Sequence, residues 1–143
     1  MSPKLLAGTL AAIAGAIVGA IAWAAITAAT NYQIGYMALG VGFLAGFGMR
    51  TVGGGREPAD GVVAGLVAFL GCVLGNLLTA AVVISGHEHY PLQVVLLAFA
   101  RKPAFAFEML RAGFNVMDVL FYAIAVYAGY RTALKPPPTA QPV

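Results

Sequence analysis

Charge is what this chain has least of. No Asp, Glu, Lys or Arg occurs from Leu5 to Ala29, and none from Gly61 to Gly86. Apolar runs of about 18 or more residues read as membrane spans, because about 20 helical residues cross a hydrocarbon core of roughly 30 Å. Of the 143 residues, 9% are charged and 61% hydrophobic, against about 25% and about 45–50% for a soluble domain. The single cysteine, Cys72, excludes an intrachain disulfide and a zinc site built on several cysteines. Serine occurs only as Ser2 and Ser85. No nucleophile elbow surrounds Ser85, and His87 and His89 are too near it in sequence for a convincing triad. Ionisable groups are missing from the centre of every predicted span, which argues against a proton relay or an ion-coupled transporter. A passive pore lined by backbone and small residues survives that test. The net charge of +3 is small and its bases mostly stand singly beside apolar runs. They read as orientation signals better than as a nucleic-acid footprint.

The apolar runs predict an all-α polytopic membrane protein. Its four transmembrane helices cover about 5–29, 35–50, 59–85 and 116–133, with a short interfacial helical segment at about 92–112. Residues 1–134 form a single membrane domain, and Lys135-Pro-Pro-Pro opens a disordered tail, 135–143. The first run exceeds the 7–15 residues of a secretory h-region and is read as a retained span. Asn31-Tyr32-Gln33 makes a polar turn after it. The second helix reaches only ~24 Å at ~1.5 Å per residue, so a thinned bilayer or neighbouring helices must accommodate it. Thr51 to Pro58 is a loop by its glycines and proline. Asn115 with Asp118 three residues on is a capping-box pattern. Tyr32, Tyr36, Tyr90, Tyr127 and Tyr130 fall near span ends, where amphipathic rings settle. Lys4, Arg50, Arg56, Arg131 and Lys135 lie on one side against Arg101, Lys102 and Arg111 on the other, which predicts both termini in the cytoplasm.

Glycine is the strongest pattern after hydrophobicity. Gly15/Gly19, Gly42/Gly46, Gly61/Gly65 and Gly71/Gly75 are each spaced four apart within a span. Lipid offers little hydrophobic drive between helices, so small residues that admit close backbones mark contact faces. These eight positions and Asn76, a polar residue at mid-span that is expected to hydrogen-bond a neighbouring helix, are the candidate packing or interface residues. Gly53-Gly54-Gly55 is no phosphate-binding loop, because neither a preceding strand nor a following Lys-Ser/Thr pair is present. His87 and His89 are the weak candidates for a metal, with Asp60, Glu57 and Glu108 the nearest ligands by type. A solvated loop accounts for the pair better, and no metal or other cofactor is expected.

Three stretches resemble a family of small uncharacterised bacterial inner-membrane proteins with four hydrophobic segments. They are Asn31-Tyr-Gln-Ile-Gly-Tyr-Met-Ala-Leu-Gly-Val-Gly-Phe-Leu-Ala-Gly46, Leu70-Gly-Cys-Val-Leu-Gly-Asn-Leu-Leu-Thr79 and Met117-Asp-Val-Leu-Phe-Tyr-Ala-Ile-Ala-Val-Tyr-Ala-Gly-Tyr-Arg131. The resemblance implies architecture and an inner-membrane location, and transfers no activity. The expected partners are the lipid bilayer and other membrane subunits or the protein itself, with no nucleic acid. The resulting expectation is a non-enzymatic protein acting by helix–helix association, as an accessory subunit of a larger complex or as a homo-oligomer. A small oligomeric pore or passive transporter built around the second helix and Asn76 is the alternative. A membrane enzyme using the His87–His89 loop ranks third.

Overall fold

The computed structural model describes residues 3–30 and 36–134, so the expected turn at 31–33 and the tail at 135–143 lie outside the described residues. The described chain forms α1 (Pro3–Thr30), α2 (Met37–Gly48) with a π-helical turn directly after it (Met49–Gly53), α3 (Pro58–Glu88), α4 (Leu92–Arg101), α5 (Pro103–Gly113) and α6 (Val116–Ala133), with no strand among the described residues. α1 and α3 are each long and apolar enough to cross a membrane, and α5 with α6 makes a third such span if the pair, bent by 103° at its break, counts as one. By length and composition the described residues thus hold two spans, or up to three. The second hydrophobic segment, Met37–Gly53, is apolar but shorter.

Close contacts set the topology. Gly15 of α1 lies against Leu44 of α2, and Ala11 lies against Gly48, so these helices are antiparallel. Ala16 meets Gly71 and Trp23 meets Gly75, making α1 and α3 parallel. Gly42 faces Ala125 and Gly46 faces Gly129, so α2 and α6 run the same way, while Tyr130 over Gly61 and Val126 over Gly65 run α6 against α3. The start of α1, the π turn, the start of α3 and the end of α6 therefore share one end of an up-down-up-down bundle. α4 and α5 sit near the other end, against α3. There Ala81, Val95 and Phe99 form a second small core with Leu77, Ile84 and Phe105 packed on it.

The bundle is small inside and bulky outside. Ala12, Ala38, Ala45, Ala64, Ala68 and Ala125 are fully buried, whereas Leu10, Val18, Leu66 and Leu70 are exposed. That distribution suits a solvent of lipid tails, in which exposing leucine costs nothing and close helix approach is the gain to be had. Capping fixes two helix starts. Glu57 and Asp60 form a reciprocal box at α3, with Pro58 in the first turn. At α6 the Asn115 side chain accepts from the Met117 and Asp118 amides, and Asp118 accepts from the Asn115 amide at 2.9 Å, as the motif predicts.

The π turn differs from the expected simple helix end near Arg50. Met49 is fully buried there, its Sδ packed where a Cβ on Gly8 or Gly53 would otherwise stand. Thr51 Oγ1 donates to the carbonyls of Phe47 (2.9 Å) and Gly48 (3.2 Å), which satisfies acceptors loosened by the wider turn. Gly54 and Gly55 then turn the chain with φ of 94° and 65°, values that glycine adopts without strain.

Replacing Gly42 or Gly46 by leucine forces a side chain into the backbone of α6, where even a Cβ added at Gly46 would stand 2.7 Å from the Gly129 carbonyl oxygen. Each change should cost about 3 kcal/mol or more, the upper part of the range for overpacking. Leucine at Ile13 or Ile17, both about 40% exposed, should be mild. Unfolding of purified protein in mixed detergent micelles measures the difference. Equal stability of all four variants would refute the packing account.

Candidate functional site

All four glycine pairs lie in seams within the chain. Gly15 and Gly19 seat α2 on α1, Gly42 and Gly46 seat α6 on α2, and Gly61 and Gly65 receive Tyr130 and Val126 of α6. Gly71 lies against Val41 and Ala16, and the Trp23 ring covers Gly75. The surface that these eight glycines line is thus occupied by this chain's own helices. Gly48, one of the glycines that crowd the second helix, lies against Ala11 of α1, and sequence reasoning missed Gly8, Gly53 and Gly129, which make similarly close contacts. Gly8, Gly53 and Gly129 have no glycine partner four residues away in the same helix, so spacing alone could not flag them.

The seams converge on a polar cluster in the bundle interior. Asn76 Nδ2 donates to Tyr122 Oη, so its amide joins α3 to α6. Tyr122 Oη in turn donates to the Cys72 carbonyl at 3.2 Å, one helical turn back along α3. Cys72 Sγ points to the Ala38 carbonyl of α2 at 3.9 Å, within reach of a weak thiol donor. Tyr122 is held edge-on between Phe69 and Phe114, with centroid separations of 5.6 and 5.5 Å. Asn76, Tyr122 and Cys72 are all buried. Tyr122 is the residue that sequence reasoning did not single out. Its hydroxyl in an otherwise apolar run was the available signal.

Two more buried polar atoms lie in the bundle, one on α1 and one on α3. Trp23 Nε1 and Thr79 Oγ1 have no hydrogen-bond partner among the described residues, and an unpaired buried donor costs about 1–3 kcal/mol.

The remaining candidates are placed apart from this cluster. His87 lies in the last turn of α3, and His89 follows its end in the left-handed conformation (φ 58°). No group of three His, Cys, Asp or Glu able to hold a metal occurs among the described residues. Ser85 Oγ donates to the Tyr90 carbonyl at 2.6 Å and so closes the end of α3. No family model, no curated protein and no solved structure matches this chain.

The cluster predicts a measurable coupling. Asn76→Leu and Tyr122→Phe should each destabilise the bundle, and their double-mutant cycle should return about 0.6–1.7 kcal/mol, the range for hydrogen bonds between membrane helices. Additive losses would show that the two side chains act independently.

Proposed function

We propose that this chain is a four-span, non-enzymatic membrane protein that works by helix–helix association, as an accessory subunit of a larger complex or as a homo-oligomer. In this reading α1, α2 with its π turn, α3 and α6 cross a bacterial inner membrane, and both termini are cytoplasmic. The pair α4–α5 lies at the far interface, in keeping with the sharp bend between α5 and α6 and with apolar Val94, Leu97 and Phe107 left exposed. The second crossing is short and draws the bilayer thin around it.

One observation carries the association reading. Gly42, Gly46 and Gly48 of α2 each face the backbone of another helix, but a Cβ at Gly40 would meet nothing within 4 Å. Tyr36, Phe43 and Phe47, at 74%, 49% and 61% exposed, are spaced from Gly40 so as to share its face of the helix. A notch between aromatic knobs on a lipid-facing helix suits a side chain of a second helix. Gly40→Leu should therefore abolish co-migration with a partner or with itself on a native gel while leaving monomer stability unchanged. A clean wild-type monomer in mild detergent, with no partner in any extract, would sink the reading.

A pore or passive transporter is the second reading, favoured by Trp23 Nε1 and Thr79 Oγ1, which have no hydrogen-bond partner among the described residues inside the bundle. It predicts that Thr79→Val changes solute flux in reconstituted vesicles without loss of assembly. The association reading predicts no flux in either protein.

Topology has its own check. With Cys72→Ala as background, cysteine at Glu88 or Gln93 should react with an impermeant maleimide in intact cells. Labelling only after lysis would reverse the orientation.

A further inference from the structure

The two long apolar helices, α1 and α3, begin beside each other, and between their starts is a pocket of about 760 Å³. Lys4, Leu5, Thr51, Val52, Arg56, Glu57 and Asp60 are among its lining residues. Its volume is in the range of small-molecule sites, about 300–1,000 Å³. Two cations and two carboxylates border it, so the site is electrically balanced.

Neither Lys4 nor Arg56 makes an ion pair among the described residues, and both side chains are exposed. Asp60 is the reverse, 5% exposed and still without a cation. Its Oδ2 accepts both the Arg56 amide (3.1 Å) and the Glu57 amide (3.4 Å). Its Oδ1 carries no hydrogen bond among the described residues. A buried carboxylate with one vacant oxygen on a cavity wall favours a positively charged donor. The Glu57 carboxylate already caps the first turn of α3, which leaves Lys4 and Arg56 as the anion-binding groups. The pocket therefore asks for one group with an anion and a donor-bearing cation a few bonds apart.

We propose that this pocket binds the headgroup of a zwitterionic phospholipid with a primary ammonium, namely phosphatidylethanolamine. Its phosphate pairs with Arg56 and Lys4, and its ammonium donates to Asp60 Oδ1. The position suits a lipid better than a free phosphate ester. Charge-free apolar sequence starts at Leu5 on one wall and at Gly61 just beyond the other, which sets the pocket at headgroup depth. Val52, half-exposed, and Leu5 supply an apolar rim for the acyl chains. A purely basic pocket would select anionic lipids such as cardiolipin. The two carboxylates here oppose that choice, and a quaternary choline has no N–H to give Asp60.

The full chain, purified in a mild detergent and delipidated, can be titrated with phosphatidylethanolamine, phosphatidylglycerol or phosphatidylcholine and read by native mass spectrometry. Phosphatidylethanolamine should be retained about tenfold more tightly than either, the change expected from one charge-assisted hydrogen bond. The double variant Lys4→Gln/Arg56→Gln, altered only at exposed side chains, should lose that retention. Asp60→Asn should bring the preference for phosphatidylethanolamine over phosphatidylglycerol to about one, because it removes the charge but keeps an acceptor for the cap. If Asp60→Asn fails to fold, the double variant alone decides. Equal retention of the three lipids by the wild type, or wild-type retention by the double variant, would overturn the proposal. Displacement of the lipid by inorganic phosphate at equal concentration would make this a simple anion site and overturn it as well. Soluble glycerophosphoethanolamine should compete only weakly, since it lacks the chains that meet Leu5 and Val52. Competition as strong as by the lipid itself would refute the lipid assignment.

Discussion

Backbone-to-backbone approach at α2 governs the rest of the molecule. Gly42 and Gly46 admit the Ala125 and Gly129 carbonyls of α6, and on the opposite side the Leu44 carbonyl presses on Gly15 of α1. In water such a helix would gain little, because it buries few side-chain carbons. In lipid the surrounding tails are as apolar as leucine, and what distinguishes the folded state is the density of van der Waals contact and hydrogen bonding between helices. The glycines of α2 admit α6 and α1, its Val41 fits over Gly71 of α3, and the helix thereby contacts α1, α3 and α6 at once. The alanine core of the other helices follows from that spacing, since larger residues would push the seams apart. The two largest fully buried side chains, Trp23 and Met49, fit because each fills a place where a glycine of a neighbouring element has no Cβ.

The polar cluster adds direction to this packing. Glycine seams are tolerant of sliding, because a smooth face fits many registers. A donor on Asn76 that finds its acceptor on Tyr122, with Tyr122 bonded onward to Cys72, selects one register between α3 and α6. Phe69 and Phe114 on either side of the Tyr122 ring restrict its rotation. The hydrogen bonds contribute modest energy and considerable specificity.

Much of the fold was legible in the sequence, unevenly and for physical reasons. Long charge-free runs announce α1 and α3 because nothing else needs so many apolar residues in a row. The Asn115–Asp118 cap was readable because a capping box is a local chemical pattern, complete within four residues. Glycine spacing marked seams but could not name the opposite wall, so it left open whether a second molecule was needed. The π turn was not legible at all, since it depends on Met49 finding space beside Gly8, some forty residues away. Neither was Tyr122 as the partner of Asn76, because that pairing depends on the register between two helices. The sharp turn between α5 and α6 is likewise a tertiary feature. Extended Phe114 and Asn115 sit at the break, yet the sequence there reads only as a helix start.

The lone tryptophan of the chain lies in the seam between α1 and α3, almost wholly buried and with its ring against Gly75. Its fluorescence is therefore an intrinsic reporter of that one contact, free of background from any other indole. Separation of the two longest helices, by heat, detergent or a bound molecule wedged at their shared end, is therefore readable in the emission of Trp23 alone.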